Sequence, residues 1–210
     1  MNIIKDVETG GERPFFASRN LRLENVVIHE GESALKECAD IVADHCLFEG
    51  RYPFWHNDHF AIHNCRFTVD SRAPLWYSRD MVMTDTVLES PKSLREMEGL
   101  RMERVSIPDA VETLWHCKGV SMKDITVGNG DYFLFHSDDI EIENLHLKGK
   151  YTFQYCNRVL IRNSVLDTKD AFWLTCDVTL ENCEVRGEYL AWHSHNLRLV
   201  NCHLTGTQQL

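Results

Sequence analysis

The sequence predicts an all-β fold, a single-stranded parallel β-helix (β-solenoid), and three observations predict it. A segment with the core Leu-x-Leu-x-Asn-Cys-x-Leu recurs ten times at intervals of 19–21 residues, the mark of a repeat architecture. Within each unit apolar residues lie two apart with polar residues between them, which is strand periodicity. No stretch spaces its apolar residues by three and four, so helical repeats of this length are excluded. The units are 21–40, 41–59, 60–80, 81–99, 100–119, 120–139, 140–158, 159–177, 178–196 and 197–210, preceded by an N-terminal segment, 1–12, in a single domain of 1–210.

Each unit opens on a strand. Its inward column runs Leu21, Ile41, Phe60, Met81 and on to Leu197, and a second runs Leu23, Ala43, Ile62, Met83 and on to Leu199. A tight turn follows at Asn25, Asn64, Asn144, Asn163, Asn182 and Asn201, with Asp85 and Asp124 in two other units. Asn and Asp tolerate the left-handed conformation, and an amide there can bond its equivalent one coil away. His45 and Arg104 occupy the same position and should interrupt that ladder. A second strand turns Val26, Cys46, Cys65 and Cys183 inward, then Ile28, Phe48, Phe67 and Val185. A polar loop rich in Gly, Pro and charge comes next. A third strand then begins on Leu35, Phe54, Leu75, Leu94, Leu114, Leu134, Phe153 and Phe172. Leucine-rich repeats share the length, but they place a helix or extended segment opposite one strand; three apolar stretches per unit favour the β-helix. Coils stacked about 4.8 Å apart give a rod of roughly 45 Å.

The net charge is −10 with a pI near 5.5. That argues against sequence-independent nucleic-acid binding, which needs a basic footprint, and against attraction to anionic membranes. There is no apolar run long enough for a transmembrane helix, and the first residues are too acidic for a secretory signal. The cytoplasm is the expected compartment, with the eight Cys as free thiols packed as small hydrophobes. No cofactor and no metal site is expected.

The repeat, together with Arg72-Ala-Pro-Leu-Trp-Tyr-Ser78, Lys92-Ser-Leu-Arg-Glu96, Gly149-Lys-Tyr-Thr-Phe-Gln154, Lys169-Asp-Ala-Phe-Trp173, Gly187-Glu-Tyr-Leu-Ala-Trp-His-Ser194 and Gly206-Thr-Gln208, resembles the pectin-lyase-like β-helix group. It resembles more closely an uncharacterised bacterial family of that fold, a domain of unknown function. The resemblance implies right-handed winding and no particular activity. It also implies continuation past this point, so that the last unit is an unfinished coil.

The unusual residues lie on the third strand and the loop before it. All five Trp fall in one column, as Trp55, Trp76, Trp115, Trp173 and Trp192, just after the inward Leu/Phe column and therefore facing out. Outward aromatics suit the C–H faces of sugars, and this surface carries substrate in the polysaccharide lyases and hydrolases of the fold; they also serve as a ladder that only stabilises the sheet. The next column, with Glu37, His56, Tyr77, Glu96, His116 and His136, cannot be core without partners. The strand is therefore expected to bend there, turning the small column Cys38, Asn57, Ser78, Cys117, Ser137 and Cys156 inward. Catalytic candidates are His116 and His136, as general bases near neutral pH, with Asp131, Lys169, Asp170 and Glu188 from the charged loop. Substrate-binding candidates are Arg72, Trp55, Trp76, Trp115, Trp173 and Trp192. Two readings stand. One is a carbohydrate-binding or carbohydrate-active protein with an oligosaccharide partner. The other is a non-catalytic assembly module forming a homo-oligomer through the open edge of its last coil.

Overall fold

In the computed structural model, which describes residues 1–208, the chain winds as a parallel β-solenoid of about eleven turns. The first side stacks Arg19–Glu24, Ala39–Asp44, Asp58–His63, Arg79–Thr84 and their successors, every pairing parallel. Register matches the sequence columns, with Leu21 opposite Ile41, Ile41 opposite Phe60, and Phe60 opposite Met81. Residues 1–12, set apart in the sequence as a leading segment, join this stack. Asn2–Lys5 pairs with the first side through Asn2–Leu21, and Glu8–Glu12 pairs with the second side through Glu8–Val27. In the seventh and eighth turns the first and second sides merge into long bent strands, Lys118–Val127 and Asp138–Lys150.

The third side is built differently from the other two. It appears as isolated parallel bridges, Trp76–Arg95, Arg95–Trp115 and Trp115–Phe135, because alternate residues adopt positive φ: Lys92 (59°), Leu94 (57°) and Glu96 (50°) in one turn, Tyr132, Leu134 and His136 two turns on. Such φ values in bulky residues cost about 1–3 kcal/mol each. They persist because the backbone is still bonded to its neighbours: Leu94 N–H donates to Pro74 O at 3.1 Å on one side, Glu96 N–H to Trp115 O at 2.8 Å on the other. The left-handed residue in the Glu/His/Tyr column produces the expected bend, and the column after it is buried: Cys38, Asn57, Ser78, Met97, Cys117, Ser137, Cys156 and Thr175.

The corners explain the small residues that follow them. Ser78 Oγ accepts the Asn57 N–H at 2.9 Å and donates to carbonyls of Phe54 and Trp76 at 2.9 and 3.0 Å. Ser137 repeats this beneath Cys117. After the Asn corner, Ser164 and Thr86 occupy the same post, as do Cys65, Cys183 and Cys202 with weaker sulfur bonds. All eight cysteines are free, and burial pushes the Cys117 and Cys156 thiols up to about 12, so these two are inert.

The Asn ladder forms over part of its expected length and begins one turn earlier. Asn25 donates to Asp6 at 2.7 Å, Asn144 to Asp124 at 2.6 Å, and Asn201 to Asn182 at 2.8 Å. At Arg104 the amide is replaced by a bidentate ion pair to Asp85, at 2.6 and 2.9 Å. Beside His45, Asn64 reaches Asp44 instead, at 3.0 Å. The interior is a continuous core of stacked Leu, Ile, Met and Phe, with Phe48 on Phe67 at 4.6 Å and Phe153 on Phe172 at 4.8 Å. No helix among the described residues is long and apolar enough to cross a membrane.

Candidate functional site

The outward column of the third side forms a closed ladder. Trp55 stacks on Trp76 at 5.3 Å with planes 6° apart. The Arg95 guanidinium lies between Trp76 and Trp115, 5.0 and 4.3 Å from their centroids, and Trp115 continues onto Phe135 at 5.0 Å. Each of three indole N–H groups donates to a carbonyl of the next turn: Trp55 to Ala73 (2.7 Å), Trp76 to Lys92 (2.6 Å) and Trp115 to Tyr132 (2.7 Å). Arg95 is fixed further by Glu112 at 2.6 Å, which also meets Lys92 at 3.2 Å. Burial opposes ionisation of Glu112, but Arg95 and Lys92 outweigh it and hold the carboxyl below its ordinary pKa. The faces of Trp76 and Trp115 are thus occupied by other side chains and are not free for a sugar ring. Trp173 and Trp192 meet edge to face at 6.4 Å; the Trp173 N–H is buried without an acceptor, and Trp192 is exposed.

The adjoining column presents imidazoles to solvent. His116 and His136 stack at 5.3 Å, and His136 stacks on Tyr155 at 4.4 Å. Burial, reinforced by the neighbouring His116, lowers the His136 pKa.

A third locus lies where the second side runs into the loop, across the seventh to tenth turns. A groove of about 640 Å³ opens there, lined by Asn129, Asp131, Lys148, Lys150, Asp167, Lys169 and Glu188 over a floor that includes Gly149 and Gly187. The local fold dictates this grouping. Lys148 and Lys150 are two apart on a strand and share its outward face, and their register partners are Asp167 and Lys169. The glycines let successive turns pass closely: a Cβ on Gly149 would lie 2.4 Å from Gly130 O, and one on Gly187 1.8 Å from Thr168 O. Lys169 is neutralised by Glu188 at 3.1 Å, which raises its pKa, and it lies over the Tyr189 ring at 5.2 Å. Asp131, Lys148, Lys150 and Asp167 make no ion pair among the described residues. Asp170 stands beside the groove; burial raises its carboxyl pKa against the pull of Lys169.

The structure therefore divides the residues singled out in the sequence. Asp131, Lys169 and Glu188 share the groove, with Asp170 beside it. His116 and His136 stand stacked on the Glu/His/Tyr column, and His116 lines a separate opening of about 600 Å³ with Glu96, Glu98 and Lys118. Trp55, Trp76 and Trp115 belong to the ladder. Arg72 lines a smaller depression of about 400 Å³ with Glu30, Glu49, Arg51 and Asp70. The sequence places Lys150 in the stack of loop charges with Asp131, Lys169 and Glu188 but does not single out Asn129, Lys148 or Asp167; the available signal was the Lys-Gly-Lys run closing a long strand. One cluster of metal-ligand type, Asp58, His59 and Asp80, has donor atoms within 4.8 Å of one another. Asp58 there is already held by a bidentate pair with Arg79 at 2.8 and 2.7 Å.

Fold and site together define a parallel β-solenoid with a polar inter-turn groove. The chain belongs to a family described as protein of unknown function (DUF3737), whose model matches residues 2–210. No curated protein matches it. Among solved structures it is similar to the A-module of the mannuronan C-5 epimerase AlgE4 of Azotobacter vinelandii, at 7% identity over 99% of this chain and 87% of that one, with a TM-score of 0.48. It also matches QnrB1, a plasmid-mediated fluoroquinolone resistance protein, at 11% identity over 97% and 91% of the chains, with a TM-score of 0.29. Neither likeness is close enough to bear on function.

Proposed function

We propose that this protein is a carbohydrate-binding β-solenoid whose site is the groove across its seventh to tenth turns, not the Trp ladder. One observation carries the reading: Asp131, Lys148, Lys150 and Asp167 line an open groove of about 640 Å³ and are not committed to ion pairs with one another. Carboxylates accept from sugar hydroxyls, and ammonium groups donate to hydroxyl, ring or carboxylate oxygens. The alternation of the two along adjacent turns offers repeated polar contacts to an extended chain. Binding is the activity supported, not bond cleavage. The groove's carboxylates stand on the seventh, ninth and tenth turns as Asp131, Asp167 and Glu188, and Glu188 is already tied to Lys169 at 3.1 Å.

A panel of uronic, neutral and amino oligosaccharides, titrated against the intact chain by calorimetry, tests this. A ligand should be found, and Lys150→Ala and Asp131→Ala should each weaken it tenfold or more, since one charge-assisted hydrogen bond contributes about 1.5–3 kcal/mol. Absence of binding across all three sugar classes sinks the proposal.

A further inference from the structure

The polar groove repeats its side chains once per turn, in two rows. Lys148 and Lys150 are two apart on one strand and face the same way, and the next turn places Asp167 opposite Lys148 and Lys169 opposite Lys150. Asn129 and Asp131 hold the corresponding places one turn earlier, where the Gly130 and Tyr132 N–H groups donate to Lys148 O and Lys150 O, both at 2.8 Å. Glu188 ends the second row against Lys169 at 3.1 Å. Asn129 spends its amide N–H on Asp109 at 2.7 Å and keeps its carbonyl. Between the rows the floor is Gly149, Thr168 and Gly187, so two of its turns carry no side chain to fill it. The result is a channel of about 640 Å³ running parallel to the solenoid axis across four turns, with its rows about 6.6 Å apart.

Resting on the reading of this groove as the carbohydrate site, we propose that its ligand is a neutral pyranose chain joined by equatorial 1,4 linkages, lying parallel to the solenoid axis with one sugar per turn. Successive turns rise by about 4.8 Å. An equatorially 1,4-linked chain is a straight ribbon whose rise per residue is close to that spacing, so each sugar meets the same two rows one turn on. An α-1,4 linkage coils the chain and loses this register within a few residues. The charges of the lining select against a polyanion. Asp131, Asp167 and Glu188 balance Lys148, Lys150 and Lys169, and the chain as a whole carries −10. A polyuronate, with one negative charge per residue, is therefore repelled by the surrounding field, and a neutral chain is not. Sugar hydroxyls both donate and accept, so they suit carboxylate and ammonium groups alike.

The test is calorimetry on the full chain with β-1,4-linked oligomers of glucose, mannose and xylose, from dimer to hexamer, beside maltohexaose and a β-1,4-linked uronate hexamer. At least one neutral β-1,4 series should bind. Its affinity should rise by about threefold or more per residue, the effect of one neutral hydrogen bond per turn, up to the tetramer, and then level off. Asp131→Ala removes the contact of the seventh turn, so the rise should stop at the trimer, with an unchanged thermal midpoint. Affinity for the tetramer should change by less than about twofold between about 0.05 and 0.5 M salt, because no net charge is paired. Maltohexaose binding as tightly as the β-1,4 hexamer, the uronate hexamer binding more tightly than the neutral ones, or an affinity flat with length would each overturn this assignment. In those cases a loss of binding in Asp131→Ala still keeps the groove as a carbohydrate site. Absence of binding by every probe overturns both readings.

Discussion

Arg95 is the keystone of the aromatic ladder, and its removal has a calculable consequence. Its guanidinium lies 5.0 Å from the Trp76 centroid and 4.3 Å from that of Trp115, and bonds Glu112 at 2.6 Å, with the side chain only 17% exposed. A half-buried cation–π contact contributes about 1 kcal/mol, so the two faces give about 2 kcal/mol. The charge-assisted bond to Glu112 adds about 1.5 kcal/mol, partly retained in Arg95→Ala because Lys92 still meets Glu112 at 3.2 Å. The expected loss is about 2–3 kcal/mol, which for a chain of this size lowers the thermal midpoint by about 5–10 °C. Urea and thermal unfolding, followed by Trp fluorescence and far-ultraviolet circular dichroism, measure it. The coupling should surface in a double-mutant cycle, where Arg95→Ala costs about 1 kcal/mol less in a Trp115→Leu background. A midpoint within 1 °C of the parent for Arg95→Ala would refute the claim that this ladder is structural.

Other consequences follow from single residues. Asn57 is 2% exposed and accepts the Cys38 N–H at 2.9 Å, but its Nδ2 has no partner. Asn57→Ser should place the hydroxyl found at Ser78 and stabilise the chain by about 1 kcal/mol, read as a raised urea midpoint at constant slope. His29 joins three turns, meeting Glu49 at 2.8 Å and Glu8 at 3.1 Å, and these bonds, Glu49 first, raise its pKa. Its contribution is therefore fully present below the unfolded imidazole value of about 6.5, down to where the carboxylates protonate, and is lost as pH rises through the raised folded value. The stability difference between parent and His29→Gln should shrink from pH 6 to pH 9; a constant difference contradicts this. Gly149→Ala would set a Cβ 2.4 Å from Gly130 O, costing about 1–3 kcal/mol through overpacking and reducing oligosaccharide binding in calorimetry.

The first two sides were legible because stacking imposes one residue class per column: Leu21, Ile41 and Phe60 keep the same inward post in the solenoid. The Asn corner was legible for the same reason. A second left-handed corner went unread although its column, Asn20, Asp40, His59, Asp80, Gly99, Gly119, Asp139, Arg158, Asp177 and Asn196, holds residues that tolerate positive φ at every position but Arg158. Its bonds, Asn196 to Asp177 at 2.8 Å and Arg158 to Asp139 at 2.5 Å, exist only across turns. Positive φ at Leu75, Leu114 and Phe153 was equally hidden, since it is held by inter-turn hydrogen bonding against intrinsic preference. The Trp column was placed correctly on the outside. Its closure onto Arg95 was not readable, because a cation–π sandwich depends on which residues neighbouring turns align. Lys148 was hidden for a related reason. It lies inside the strand Asp138–Lys150, two residues before the charged loop column that Lys150 joins.

The central claim is that the polar groove binds carbohydrate while the aromatic ladder holds the solenoid together. Amide shift mapping by nuclear magnetic resonance, with the tightest oligosaccharide from the panel, tests both halves at once. The account predicts perturbations concentrated at Asn129–Asp131, Lys148–Lys150 and Asp167–Lys169, with the Trp55, Trp76 and Trp115 indole N–H signals unmoved. Perturbation centred on those indoles, with the groove silent, would contradict it.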